Sequence, residues 1–138
     1  MGYTVEFSFD LRSHHDSEQR RRDIILRAER QGCRECYWMY EMEGRRQVER
    51  SHCVVTTGFG ADNTAGLVGY LRFIRRTKGY HVESVYDDSH GLVFASATYL
   101  AKMDVAKARE FRDSFGEKRR QGTWTDGERR IVAAMNVA

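Results

Sequence analysis

Proline is absent from the sequence, cysteine occurs three times and lysine four times. The lack of proline carries no functional conclusion. Three cysteines are fewer than the four or so ligands a structural zinc site needs, and only Cys33 and Cys36 have ligand spacing. Cys53 adds one sulfur beside His52, with His14 and His15 upstream, but a strand would point His52 and Cys53 to opposite faces. Cys33, Cys36 and Cys53 are therefore expected to be reduced thiols and not a metal centre. A thioredoxin-type site is also disfavoured, because its cysteine pair opens a helix, whereas this pair follows a helix end.

No hydrophobic run is long enough to cross a bilayer, and the first residues lack the basic then apolar profile of a secretion signal. An intracellular protein is expected. Gly2 meets the first requirement for myristoylation, but Glu6 stands where that signal needs Ser or Thr. There is no internal repeat and no low-complexity tract. No motif requires a cofactor, and none is specific to a catalytic chemistry.

What is present is arginine. Of 23 basic residues 19 are arginine, against 20 acidic residues and a formal net charge of +3. Arginine's planar fork suits phosphate and carboxylate better than the point charge of lysine, so the bias points to an anionic partner. The competing explanations are a solvated surface of mixed charge and a genome rich in arginine codons. Clusters stand at Arg20 to Arg22, Arg45 and Arg46, Arg75 and Arg76, and Lys118 to Arg120.

The chain is long enough for one compact domain with a core. Its centre is a helix over 67–78, closed by Gly79 and followed by strands over 80–86 and 92–98. Leu67, Tyr70, Leu71 and Ile74 share one helical face, and Arg72, Arg75 and Arg76 fall largely on another. Upstream, Tyr3, Val5, Phe7, Phe9 and Leu11 alternate with polar residues, the pattern of a strand with one buried face. Ser13 fits a helix cap, and that helix runs to about Gln31 with Ile24, Ile25 and Ala28 inward and Arg20, Arg27, Arg30 and Arg34 as a ridge. A hairpin over 35–43 and 47–59 follows, then a glycine-containing loop over 58–66 with Asp62, Asn63 or Thr64 as cap.

Beyond the central unit a helix is expected from Asp104 to about Gly116, then a basic linker over 117–122 and a last helix from Asp126 to about Met135. Trp124 resembles the tryptophan that opens a Myb-type repeat, but too few residues follow for three helices, so it reads as an anchor for the tail. The element order predicts an α+β domain with a ferredoxin-like βαββαβ core, an antiparallel sheet with its helices on one face, plus an extra strand and C-terminal helices. Residues 1–103 form the sheet domain in this reading and 104–138 a helical extension.

Three functions follow. The first is a non-catalytic domain that binds RNA or single-stranded nucleic acid through Arg72, Arg75 and Arg76, with Arg20, Arg27 and Arg119 second. An open sheet face with aromatics drawn from Tyr37, Trp38, Tyr40, Tyr80 and Tyr86 would stack bases there. Lys78 to Val82 begins like the aromatic octamer of RNA-recognition domains, but Val82 and Val85 stand where stacking rings belong. The second is a protein-interaction or structural subunit, a homodimer through a free sheet edge or the open face. The third is a metal-dependent or acid/base enzyme on the polar sheet face, using Glu6, Ser8 and Asp10 with His52, His81 or Glu83.

Residues 40–44, 80–88 and 92–100 together resemble small uncharacterised proteins encoded by large DNA viruses of algae and amoebae. The likeness spans about residues 3–103. It implies a viral product acting in an infected cell, in host cytoplasm or nucleus, or carried in a virion, and it assigns no catalytic or binding residue.

Overall fold

A computed structural model describes residues 2–10, 17–40, 42–43, 46–47 and 52–135. Alternation puts Val5, Phe7 and Phe9 of strand β1 (Gly2–Asp10) into the core, where each is essentially inaccessible. Helices cover that face. α1 (Ser17–Arg30) contributes Ile24 and Ala28, and α2 (Thr64–Arg76) contributes Leu67, Tyr70, Leu71 and Ile74. Burying this face removes apolar surface from water at roughly 25 cal/mol per Å², the main force holding the layers together.

The sheet is five-stranded and antiparallel throughout. β2 (Glu35–Tyr40) pairs with β5 (His52–Gly60), β5 with β1, β1 with β6 (Tyr80–Asp87) and β6 with β7 (Gly91–Ala95), giving the order β2-β5-β1-β6-β7. The expected hairpin is the β2–β5 pair, with Glu35 opposite Gly58 and Tyr40 opposite Cys53. A two-residue ladder joins β3 (Met42–Glu43) to β4 (Arg46–Gln47) between them. The fold is thus mixed α and β, with a five-stranded antiparallel sheet and several helices.

Several expectations change. The strand expected over 92–98 ends at Ala95, because Ser96 caps α3 (Ala97–Lys102) by accepting a hydrogen bond from the Tyr99 amide. α3 lies against the second sheet face, beside Glu6 and Val54, so the helices are not confined to one side. α2 stops at Thr77, two residues before Gly79, whose φ of +85° turns the chain into β6. Tyr80 was expected on an open face; it is 5% exposed and lies in the core beside Phe7 and Phe9.

The basic linker expected over 117–122 is helical. α4 (Val105–Gln121) is capped by Asp104, runs through Gly116 and ends where Gly122 takes φ +66°. Only a residue without Cβ adopts that conformation at low cost. α5 (Asp126–Ala134) has a capping box formed by Thr125 and Glu128, and it buries Ile131, Val132 and Ala134 in the same core as the sheet. Trp124 packs against Phe115 at 5.3 Å between ring centres. Among the described residues no helix is long and apolar enough to cross a membrane. The expected positions Leu11, Ser13, His14, His15 and Arg45 lie outside the described residues.

Candidate functional site

Five of the six arginines expected to bind nucleic acid, Arg20, Arg27, Arg72, Arg75 and Arg76, fall around the second half of α2. The helix is fixed at its start by Asn63, whose side chain accepts from the Gly66 amide at 3.0 Å and donates to the Gln31 carbonyl at 2.8 Å. A side chain at Gly66 would clash with that same carbonyl, so α2 meets the end of α1 at close backbone contact. With Leu67, Tyr70, Leu71 and Ile74 turned inward, Arg72, Arg75 and Arg76 project outward and are exposed.

Two clefts flank this helix. The first, about 310 Å³, lies between α1 and the end of α2 and is lined by Arg20, Arg27, Arg30, Asp23, Phe73 and Tyr80 among others. Arg27 lies over the Phe73 ring at 5.2 Å and Arg20 over the Tyr80 ring at 5.8 Å. The second, about 300 Å³, is lined by Arg72, Arg75 and Arg76 with Ala133 and Ala134 of α5. There Arg75 donates to the Ala134 carbonyl at 2.9 Å, placing a cation at the end of α5 where helix carbonyls are unsatisfied. Arg34 leaves the expected ridge, because Gly32 with φ +78° turns the chain and sets Arg34 beside Gly60. Arg119 sits exposed in the last turn of α4 and lines neither cleft.

None of the six cleft arginines pairs with a carboxylate among the described residues. Among the described residues the one acid lining either cleft, Asp23, accepts from the Gln19 side-chain amide at 2.9 Å. Arg27 and Arg20 spend their charge on ring faces, which is worth about 0.5–1 kcal/mol at exposed sites. Arg30, Arg72 and Arg76 make no hydrogen bond or ion pair to a described residue. The arrangement is a set of guanidinium groups, un-neutralised among the described residues, that can grip oxyanions.

The sheet's other face holds a different chemistry. Tyr37, Thr56, Glu6 and Ser84 form one cross-strand row, and Thr4 and Tyr86 lie in the next, on the same face. Between Glu6 and Phe7 the pairing of β1 with β6 slips by one residue, a bulge at Glu83 that keeps Glu83 with Glu6 while returning Val85 to the core. Glu83 is 8% exposed and accepts from the Ser8 hydroxyl at 2.7 Å and the Ser96 hydroxyl at 2.8 Å. Beside it a cavity of about 250 Å³ is lined by Glu6, Val54, Glu83, Tyr99, Lys102 and Met103. Burial, and next the charge of Glu83, push the Glu6 carboxyl above the ordinary carboxylate range, while Lys102 pulls it back.

The structure therefore brings together Glu6, Ser8 and Glu83 as expected of the polar face, and adds Ser96, Tyr99 and Lys102, which the sequence reading missed. The Ser96-Ala97-Thr98-Tyr99 cap pattern is the signal that was available for them. His81 is exposed on this face; the side chains of Asp10 and His52 lie outside the described residues. Exposed Tyr37 and Tyr86 share it, so the aromatics and the arginines once expected to rim them lie on opposite faces. Cys33 and Cys36 are half-buried free thiols, both pushed above the ordinary thiol range chiefly by burial. No group of three metal-ligating side chains occurs among the described residues. Comparison with known protein families, curated proteins and solved structures finds no match.

Proposed function

We propose that this chain is a non-catalytic binding domain that engages RNA or single-stranded nucleic acid through its phosphates, along the two arginine clefts beside α2. The observation that carries it is the absence of any carboxylate partner, among the described residues, for Arg20, Arg27, Arg30, Arg72, Arg75 and Arg76. Surface arginines without an acidic partner form a positive field that attracts and orients a polyanion. Binding in this reading is not base-specific. The rings beside the arginines, Phe73 and Tyr80, are already covered by guanidinium groups and core, so contacts to phosphate dominate.

The scaffold in this proposal is a ferredoxin-like core with β7 and the C-terminal helices added. In support, β1, α1, β2, β5, α2 and β6 follow the βαββαβ order, and β1 lies between β5 and β6. Fluorescence anisotropy with single-stranded RNA, single-stranded DNA and duplex DNA across a salt series tests the function. Each phosphate contact on a single strand contributes about 0.7 to the slope of log affinity against log salt, so replacing Arg72, Arg75 and Arg76 by alanine should flatten it by about 2. Absence of binding at low salt, or an unchanged slope in the triple variant, would sink the reading.

A protein-interaction role is favoured by one separate observation, the exposure of Tyr37 on the edge strand β2 and of Tyr86 on the same sheet face. Edge strands offer unpaired backbone groups to a second chain. Light scattering across a concentration series, at low and high salt, distinguishes a salt-insensitive dimer from a monomer.

A further inference from the structure

We infer that the cavity between α3 and the second sheet face is a binding site for a small primary alkylamine, its ammonium held by Glu6 beside Glu83. The inference is independent of the arginine clefts, which lie on the opposite face. Charge comes first. Among the described residues two carboxylates and one lysine line the cavity, so a ligand bearing one positive charge balances them and an anion does not.

The two carboxylates differ in what they still need. Both oxygens of Glu83 already accept hydroxyl hydrogens, from Ser8 and Ser96, and the group is buried and fixed by the bulge. Glu6 is half-buried, faces the same space and accepts no hydrogen bond from a described residue. Among the described residues it is a carboxylate without a donor. An ammonium has three donors and fits that deficiency, whereas a divalent metal would need several free oxygen ligands where, among the described carboxylates of the cavity, only Glu6 remains uncommitted. Val54, Met103 and the Tyr99 ring form an apolar wall suited to an alkyl stem. A volume of about 250 Å³ lies just below the usual range for drug-sized ligands, which limits the stem to a few carbons. Lys102 lines the same cavity and its charge acts on Glu6, so it competes with an incoming amine.

The test is a titration of the full chain followed by amide NMR at neutral pH, with n-butylamine as probe and n-butanol and butyrate as neutral and anionic counterparts. Saturable shifts at Glu6, Glu83, Tyr99 and Lys102 are expected with butylamine. Butanol should bind about tenfold more weakly or worse, the factor a charge-assisted hydrogen bond carries. Glu6→Gln should weaken butylamine by a similar factor, and Lys102→Met, which removes the competitor, should tighten it severalfold. If Glu6→Gln fails to fold, the ligand series and Lys102→Met decide alone. Equal binding of amine and alcohol, preference for butyrate, weakening by Lys102→Met, or no saturable shift would each overturn the inference.

Discussion

Replacing Ile131 by alanine tests whether α5 belongs to the same cooperative core as the sheet. Ile131 is inaccessible to solvent, and α5 packs against α2 and β7, where Val93 and Ile74 are also buried. Truncating a buried aliphatic side chain to alanine costs about 2–5 kcal/mol, from lost transfer energy and the cavity left behind. The capping box and the Trp124–Phe115 contact hold the start of α5, which limits how far the helix can collapse into the gap, so about 3 kcal/mol is expected. For 138 residues, an unfolding entropy of about 2.1 cal/mol/K per residue sums to about 0.29 kcal/mol/K. The variant should therefore melt about 10 °C lower, in one transition. The control is Val105→Ala, at a side chain 73% exposed, which should change stability by less than about 0.5 kcal/mol. Circular dichroism melts and urea titrations measure both. A shift under about 3 °C for Ile131→Ala, or a separate low-temperature transition, would show α5 to be peripheral to the core and refute the reasoning.

Three further perturbations follow from the same geometry. The Glu6 carboxyl lies above its unfolded range through burial and then Glu83, so the folded state binds that proton more tightly. Its ionisation costs stability as pH rises past the unfolded carboxylate pKa, and Glu6→Gln should gain stability at pH 7 relative to acid, read from urea midpoints at both pH values. Glu128 behaves oppositely. Burial alone would raise its carboxyl, but the Lys118 ammonium at 3.0 Å and the Thr125 amide outweigh it and hold it below the ordinary range. Its contribution is present above the unfolded pKa and lost as pH falls through the folded one. Glu128→Gln should cost about 1.5–3 kcal/mol at pH 7 and little in strong acid; equal cost at both would contradict this. Tyr70→Phe removes the hydroxyl paired with Thr57 at 3.2 Å while keeping the ring among Phe7, Phe59 and Phe73, so chemical denaturation should register about 1 kcal/mol. A loss above about 3 kcal/mol would mean that the ring packing depends on that bond.

Local periodicity made β1 and α2 legible, because one buried face imposes a regular pattern on each, while the β2–β5 hairpin was legible from its strand-forming residues and not from alternation. Devices that break the pattern were not. The bulge at Glu83 leaves no trace in composition, yet it sends Val85 inward and keeps Glu83 beside Glu6. In residues 92–98 the strand-forming Val93, Phe94 and Thr98 outweighed Ser96, whose hydroxyl donates to distant Glu83 while accepting the local capping bond from the Tyr99 amide. Gly116 looked like a stop, but an interior glycine costs a helix only about 1 kcal/mol relative to alanine, and α4 recovers that through Phe111, Phe115 and the cap at Gly122. Helix spacing around Arg20, Arg27 and Arg30 was readable; their separation from Arg34 depended on the sign of one φ angle at Gly32.

The same sheet keeps the two candidate sites apart. Strand alternation assigns Phe7 and Phe9 to the helix layer and Glu6 and Ser8 to the layer under α3, so residues adjacent in sequence serve opposite faces. The arginine clefts stand on α1, α2 and α5, beyond a core of aromatic and aliphatic side chains from the acidic cavity. Exposed charges farther apart than about 8 Å are largely screened at physiological ionic strength. An amine in the cavity and a polyanion on the clefts should therefore bind without direct competition, and coupling between them would need movement of the sheet itself. Affinity for single-stranded RNA measured with and without saturating butylamine should agree within about twofold at that ionic strength, because distant sites without shared partners add. A larger change would place both ligands on one surface and undo the assignment of two faces.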